Sequence, residues 1–227
     1  SRKNLLERTT DQHRDILRQH IHHALAEFFK YADEPWQQML LNIEAERLEQ
    51  RLLAWLEQEK QRPEFTVIGT EQALENPHIG GLQFQCRVDR IDQVEQGIVL
   101  LDYKTGKVDR NACEGNRPDQ PQLPVYAVLR DQDQTTESSL AGVAFAGLYP
   151  KKIGFTIINS LPSVFSPSPK PLKEAGAESS SKSETKRKLN SAALTPEEMQ
   201  SKLDEWSVSL TRLAEEFQAG EAIVDPK

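Results

Sequence analysis

Two aspartates and a lysine in the middle of the chain are spaced so that a sheet could bring their side chains together. They lie in residues 87–92 (RVDRID) and 100–106 (LLDYKTG). Alternate residues of a strand share a face, so Asp102 and Lys104 should point the same way, and an antiparallel partner can place Asp89 beside Asp102. Clustered carboxylates repel unless a cation lies between them, and Mg2+ takes oxygen ligands while keeping several waters. The pattern indicates a divalent-metal seat, with Lys104 available to orient a water or stabilise negative charge in phosphodiester hydrolysis.

The same spacing has a plain structural interpretation, which these residues alone leave open. An Asp-x-Lys triplet arises by chance about once in a few hundred residues. Asp102 and Lys104 could form a surface salt bridge, and so could Asp89 with Arg87 or Arg90, because charge pairs are common at sheet edges. Whether Asp89, Asp102 and Lys104 converge on a metal site depends on the strands and helices around them.

The chain before these residues is predicted to be helical. Apolar residues at spacings of three and four predict one amphipathic helix over about residues 11–30 and another over about residues 36–61, the latter ended by Pro63. We expect the histidines of the first helix to be solvated, because they fall on several faces: His13, His20, His22 and His23.

After Pro63 the apolar period changes to two, which predicts entry into a sheet. Apolar and polar residues alternate over 82–89, and a polar turn around Gly97 leads into the apolar run 98–101. This predicts an antiparallel hairpin with acids at one end. A helix over about 121–130 and two strands, over 141–149 and 153–158, should follow.

The last part of the chain is predicted to be a polar loop followed by one helix. Ser, Pro, Lys and Glu dominate residues 163–193, which cannot bury enough apolar surface to offset the entropy of ordering. A capping box at 195–198 begins a helix that ends near Gly220. Its apolar stripe is Met199, Leu203, Trp206, Leu210, Leu213 and Phe217.

Composition limits the class of protein. The 227 residues carry a net charge of -7, which argues against a surface that binds nucleic acid everywhere but allows a local groove or a metal-filled acidic site. No apolar run approaches the roughly 20 residues that span a bilayer. Cys86 and Cys113 form no C-x-x-C pair, so this chain alone builds neither a disulfide framework nor a complete zinc or iron-sulfur site. The first residues lack a signal-peptide core and an initiator Met, which is expected of the cut end of a longer chain.

Four motifs in order resemble the RecB-like branch of the PD-(D/E)xK nucleases: GL at 81–82, RVDRID at 87–92, LDYKTG at 101–106 and PQLPVYA at 121–127. The resemblance implies that Asp89 and Asp102 bind metal, with the backbone carbonyl of Tyr103 as a third ligand, and that Lys104 is the catalytic lysine. It also implies that a Gln-x-x-x-Tyr motif orients the lysine or the DNA from one helical face: Gln122 and Tyr126.

The implied fold is α/β: a restriction-endonuclease-like mixed β-sheet core flanked by helices, with an N-terminal helical segment. The expected divisions are an N-terminal helical segment packing on the core (1–62), the nuclease core (63–162), a flexible polar loop (163–194) and a C-terminal helix packing on the core (195–227).

Further similarity is to a bacterial subgroup of probable DNA repair proteins, carried by ERL at 46–48, WL at 55–56, RP at 62–63, FQAG at 217–220 and VDPK at 224–227. Glu71 resembles an acid of the family's first core strand, with a structural salt bridge as the alternative. The family's Gly-x-x-x-His helix is absent here and is expected upstream of Ser1. A cysteine cluster for an iron-sulfur or zinc site would belong only to a longer parent protein.

The resemblance implies a Mg2+-dependent DNA exonuclease, with Mn2+ as a substitute, acting in DNA repair or recombination in the bacterial cytoplasm. Its partners would be DNA and a helicase domain or subunit, without a membrane. The alternative is a catalytically weak nuclease-fold module used for DNA binding or scaffolding within a larger repair protein, which the net acidity and the missing histidine allow.

Overall fold

The computed structural model describes residues 1–28, 34–74, 77–132, 138–165 and 193–221. Within them the helices are α1 (Arg2–Glu7), α2 (Thr10–Phe28), α3 (Pro35–Lys60), α4 (Gln122–Gln132) and α5 (Pro196–Gln218), with a 3-10 turn at Arg110–Cys113. The strands are β1 (Thr66–Ala73), β2 (His78–Ile79), β3 (Leu82–Gln83), β4 (Arg87–Val94), β5 (Gly97–Lys104), β6 (Leu140–Tyr149) and β7 (Lys152–Ser160).

Five strands form a mixed sheet in the order β1-β4-β5-β6-β7. Only the pair β5–β6 is parallel, and its connection carries α4, while the other neighbours are antiparallel. The predicted hairpin is confirmed as β4–β5. The mixed sheet flanked by helices, with helices at the N-terminus, confirms the predicted restriction-endonuclease-like fold class.

The sheet is covered on both faces, which explains why β5 is an unbroken apolar run. Ile98 and Leu100 pack into the core shared with α4 and α5. Val99 and Leu101, which alternate with them, pack on the opposite face around Phe65. We call the α4–α5 side of the sheet the front face and the Phe65 side the back face. Trp55 of α3 covers part of the back face, with its ring 4.6 Å from that of Phe155 in β7.

The predicted alternation over 82–89 is not one strand. Leu82–Gln83 pairs only with β2 in a separate two-stranded sheet, and β4 begins at Arg87. Gly80 and Gly81 form the turn of this small hairpin with φ angles of 55° and 79°, which side chains disfavour. Gly80 also lies against α5, where a Cβ would come within 2.7 Å of the Ala214 Cβ. The small hairpin therefore packs on α5 before the chain enters the main sheet.

The histidine prediction is wrong for one residue. His20, His22 and His23 are exposed, but His13 is 5% exposed, and neither of its ring nitrogens has a hydrogen-bond partner among the described residues. It lines a cleft of about 440 Å³ between the N-terminal helices and the back face of the sheet. Burial therefore lowers the pKa of His13, assisted by the nearby cation Lys60.

The capping box and start of α5 are confirmed: Thr195 is the N-cap and exchanges hydrogen bonds with Glu198. Its apolar stripe is buried as far as Leu210 and Ala214, but Phe217 is 74% exposed, so the predicted stripe is one turn too long. Most of the predicted loop (166–192) and the VDPK motif (224–227, within 222–227) lie outside the described residues, as do 29–33. Among the helices that the structure describes, none has the length and apolarity to cross a membrane.

Candidate active site

The two aspartates lie where β4 and β5 stop pairing. The hydrogen-bonded register runs from Val94–Gly97 to Arg90–Leu101 and ends there, although both strands continue against their outer neighbours. One step further along that register, Asp89 lies directly opposite Asp102. The predicted pairing of the two acids is therefore present, at a point where the strands are joined by side chains.

The Asp89 carboxylate links β4 to β5, because its Oδ2 accepts a hydrogen bond from the backbone N–H of Tyr103 at 2.8 Å. The proposed salt-bridge alternative for Asp89 has no support among the described residues. Arg87 lies near Glu71, at 3.7 Å, and Arg90 bonds to acids on the back face.

Asp102 is nearly inaccessible, with a side chain 2% exposed. Burial raises the pKa of its carboxyl, Lys104 opposes this through a hydrogen bond and its charge, and the like charge of Asp89 raises it further. Oδ2 forms an ion pair with the Lys104 ammonium at 2.7 Å.

Lys104 joins the sheet to α4. Its ammonium donates to Oε1 of Gln122 in the first turn of that helix and lies 5.8 Å from the centre of the Phe145 ring. One turn along α4, Tyr126 is buried. Burial raises the pKa of the Tyr126 hydroxyl, Asp102 raises it further, and a hydrogen bond with Gln122 opposes the rise. The structure thus brings all six sequence-predicted site residues to one place.

The donor set suits a hard divalent cation that keeps part of its hydration shell. Asp89 and Asp102 offer oxygen ligands, and Tyr103 follows Asp102 at the end of β5. Among the described residues, no three side chains of His, Cys, Asp or Glu are grouped as a full metal cage. Mg2+ is commonly held by one or two carboxylates plus waters, so two carboxylates placed opposite each other fit it.

Glu71 has an unusual backbone conformation. Its φ of 49° is rare for a residue with a side chain. The register of β1 on β4 places it opposite Asp89, between the pairs Thr70–Arg90 and Gln72–Val88. Its side chain is exposed and lies 3.7 Å from Arg87, which is the salt-bridge alternative anticipated for it.

A buried charge group on the back face was missed by the sequence reasoning. We define it as Glu59, Arg62, Arg90 and Asp92. Arg62 and Arg90 both bond to Asp92 at 2.7 Å, and Arg90 bonds to Glu59 at 2.7 Å. The Arg62 guanidinium lies over the Phe65 ring at 4.3 Å. The available signal was the alternation in RVDRID, which places Arg90 and Asp92 on the face of β4 opposite to Asp89.

The helix α5 holds the segment between the lysine strand and α4. The indole N–H of Trp206 donates to the Cys113 carbonyl at 3.1 Å, and Lys202 pairs with Glu114. Further along, Arg212 donates to the Asn116 carbonyl at 2.9 Å. These contacts fix the approach to Gln122.

A mixed sheet with acids and a lysine at one end of its central hairpin defines a nuclease-like class of α/β proteins. The family model of the PD-(D/E)XK nuclease superfamily matches residues 3–227, and the chain belongs to that superfamily. Its members are typically nucleases and generally use divalent metals such as Mg2+. A search of curated proteins finds no match.

Proposed function

We propose that this chain is a Mg2+-dependent deoxyribonuclease domain, a RecB-like exonuclease that acts in DNA repair or recombination. One observation carries the proposal: Asp89 and Asp102 face each other at the open end of β4–β5, and Lys104 reaches both Asp102 and Gln122. A surface salt bridge would need neither the second acid nor a carboxylate as deeply buried as that of Asp102.

Each residue has a role that follows from its surroundings. Asp89 and Asp102, with the Tyr103 carbonyl, would hold the cation. The Lys104 side chain is 25% exposed, so its ammonium can face both water and substrate while Asp102 and Gln122 fix its position. There it can orient the attacking water or stabilise negative charge that develops on the phosphate. Tyr126, buried beside Gln122, would hold that glutamine in place.

A divalent ion bound there would polarise a phosphodiester oxygen and make a water a better nucleophile. The protein's own contribution is then positional, because the strands fix the two acids and α4 fixes the lysine. Such preorganised charge at the reacting group is commonly the largest catalytic contribution of an enzyme.

The substrate and setting rest on the motif resemblance. RVDRID, LDYKTG and the Gln-x-x-x-Tyr pair occur in the order of the RecB-like branch, which supports DNA as substrate, a helicase domain or subunit as partner and a bacterial cytoplasmic setting. The net charge of -7 favours a local DNA contact at the site over a wholly basic surface.

The test compares the chain with Lys104→Ala and Asp102→Ala on linear and circular DNA in Mg2+ or Mn2+. Removing one charge-stabilising donor commonly costs about 10²–10³ in rate, so Lys104→Ala should lose at least that much cleavage of linear DNA. Asp102→Ala removes a proposed metal ligand and should also lose cleavage of linear DNA. Lys107→Ala, which removes an exposed lysine three residues away, is the matched control. If the unaltered chain cuts DNA no faster than Lys104→Ala, the proposed enzyme activity is refuted. If the unaltered chain binds the metal but cuts no DNA, the DNA-binding module is favoured.

A further inference from the structure

The separation of β4 and β5 at the candidate site is not set by main-chain pairing. The ladder ends at Arg90–Leu101, and Asp89 and Asp102 lie one step beyond it. Paired strands lie about 4.8 Å apart because their hydrogen bonds fix that spacing. Beyond the last pair, other contacts must fix the distance between the two carboxylates.

Two side-chain contacts cross this unpaired end. On the site itself, Asp89 accepts from the Tyr103 N–H at 2.8 Å. The second contact joins Arg90, which follows Asp89 in β4, to Tyr103 again: the Arg90 Nη1 donates to the Tyr103 hydroxyl at 3.0 Å. Tyr103 is therefore held to β4 at both its backbone and its side chain.

The Arg90 guanidinium is itself held rigidly. Its Nε and Nη2 bond to the two oxygens of Asp92 at 2.7 and 3.0 Å, and its Nη1 bonds to Glu59 of α3 at 2.7 Å. Burial alone would lower the pKa of Arg90, but Tyr103, Asp92 and Glu59 raise it above its ordinary value, so the group stays charged. Because its bonds to Asp92 and Glu59 fix its orientation, the guanidinium can hold the Tyr103 hydroxyl in a defined position.

The Tyr103 ring is supported from α3 as well. Trp55 meets it edge-on with ring centres 5.8 Å apart. Loss of the hydroxyl would leave this packing in place and remove only the bond that ties the ring to β4. That makes the contact separable from the stability of the core.

We propose that the Arg90–Tyr103 contact is a positioning device that sets the separation of Asp89 and Asp102 and thereby the affinity of the site for its divalent ion. The inference rests on the proposed function, because it concerns the same metal seat. Arg90 and the side chain of Tyr103 act through the two acids and have a positioning role. Outer contacts of this kind commonly change metal affinity by about 10–100-fold when removed.

The test measures Mn2+ binding to the full chain by calorimetry without DNA. Tyr103→Phe removes the hydroxyl, Arg90→Lys keeps the charge but loses the fork, and Tyr149→Phe, at the end of β6, is the control. Each single variant at the site should bind Mn2+ about tenfold more weakly. The double variant should bind no more weakly than the weaker single variant, because both changes break the same contact.

Urea unfolding of the metal-free proteins supplies the second measurement. The Tyr103→Phe midpoint should stay close to that of Tyr149→Phe while its Mn2+ affinity falls, which a purely structural role would not produce. Equal Mn2+ affinity in Tyr103→Phe, Tyr149→Phe and the unaltered chain would overturn the inference, as would additive losses in the double variant.

Parallel assays of DNA cleavage keep the two proposals apart. If the unaltered chain binds Mn2+ but cuts no DNA, the nuclease proposal fails, and weakened binding in Tyr103→Phe still supports the positioning role. If the unaltered chain cuts DNA and Tyr103→Phe binds Mn2+ normally, the positioning role fails and the nuclease proposal stands.

Discussion

Replacing Asp92 with Asn should be among the most damaging single changes in this protein. Asp92 is fully buried and accepts from Arg62 at 2.7 Å and from Arg90 at 2.7 and 3.0 Å. With Glu59, the buried charge group contains two cations and two anions. Asp92→Asn keeps the size of the side chain but leaves one positive charge uncompensated inside the protein.

The expected loss follows from these contacts. Asn has one acceptor oxygen, and its NH₂ would face guanidinium donors, so at least one charged hydrogen bond disappears and a repulsive contact takes its place. A hydrogen bond to a charged group contributes about 1.5–3 kcal/mol. Removing one partner of a buried ion pair costs about 3–5 kcal/mol because the remaining charge stays buried. We expect a loss of about 3–5 kcal/mol in the free energy of unfolding.

Urea unfolding followed by tryptophan fluorescence measures this loss, since Trp55 packs on Tyr103 beside the group. With a urea dependence of about 2 kcal/mol per molar, the midpoint should fall by about 2 M. Glu95→Gln removes an exposed acid from the β4–β5 turn and should change stability by less than about 0.5 kcal/mol. If Asp92→Asn loses less than about 1 kcal/mol, the charge group does not stabilise the fold as argued.

Three further changes test other parts of the structure. Burial raises the pKa of the Cys86 and Cys113 thiols, that of Cys113 to about 12. At pH 8 a thiol reagent should therefore label Cys86 slowly and Cys113 only in denaturant. Rapid labelling of both thiols in the folded protein would contradict this. Burial lowers the pKa of His13, so its contribution to stability is present above about pH 6.5, where the unfolded state is neutral, and is lost as the pH falls through the folded pKa. The urea midpoint should therefore fall less between pH 7 and 5 in His13→Leu than in the unaltered chain, and equal falls would refute it. Gly97→Ala should lower the free energy of unfolding, measured in urea, by at least about 2 kcal/mol. The φ of Gly97 is 140°, and a Cβ there would lie 2.2 Å from the backbone oxygen of Ser139 beside β6. Gly106→Ala, which has open space around it, should show no such loss.

The position of the site residues was predictable because it depends on short-range rules. Alternation along one strand placed Asp102 and Lys104 together, and a single tight turn at Gly97 placed Asp89 opposite Asp102. Gln122 was expected beside Lys104 only from the motif resemblance, because its position depends on how α4 packs on the sheet. No long-range packing detail enters the other two steps.

The buried charges were not predictable in the same way. Arg62 follows a helix and Asp92 lies in a run of charged residues, so both have the local pattern of surface groups. They are buried because α3 ends against the back face of β4, where Phe65, Phe155 and Phe165 surround the Arg62 guanidinium. His13 is buried for a similar reason, since the cleft that it lines is formed by three helices and the sheet. Contacts between distant segments decide these positions.

The front and back of the same two strands have opposite electrostatic designs. At the site, the two acids Asp89 and Asp102 have one cation beside them, Lys104, which pairs with Asp102. On the other side, each acid of the buried charge group meets an arginine, and the formal charges cancel. The buried charge group is neutral and needs no further ion, whereas the excess of negative charge at the site favours a cation. Tyr103 contacts both, through its backbone N–H to Asp89 and its hydroxyl to Arg90. The buried charge group can therefore hold the site in position without adding net charge to it.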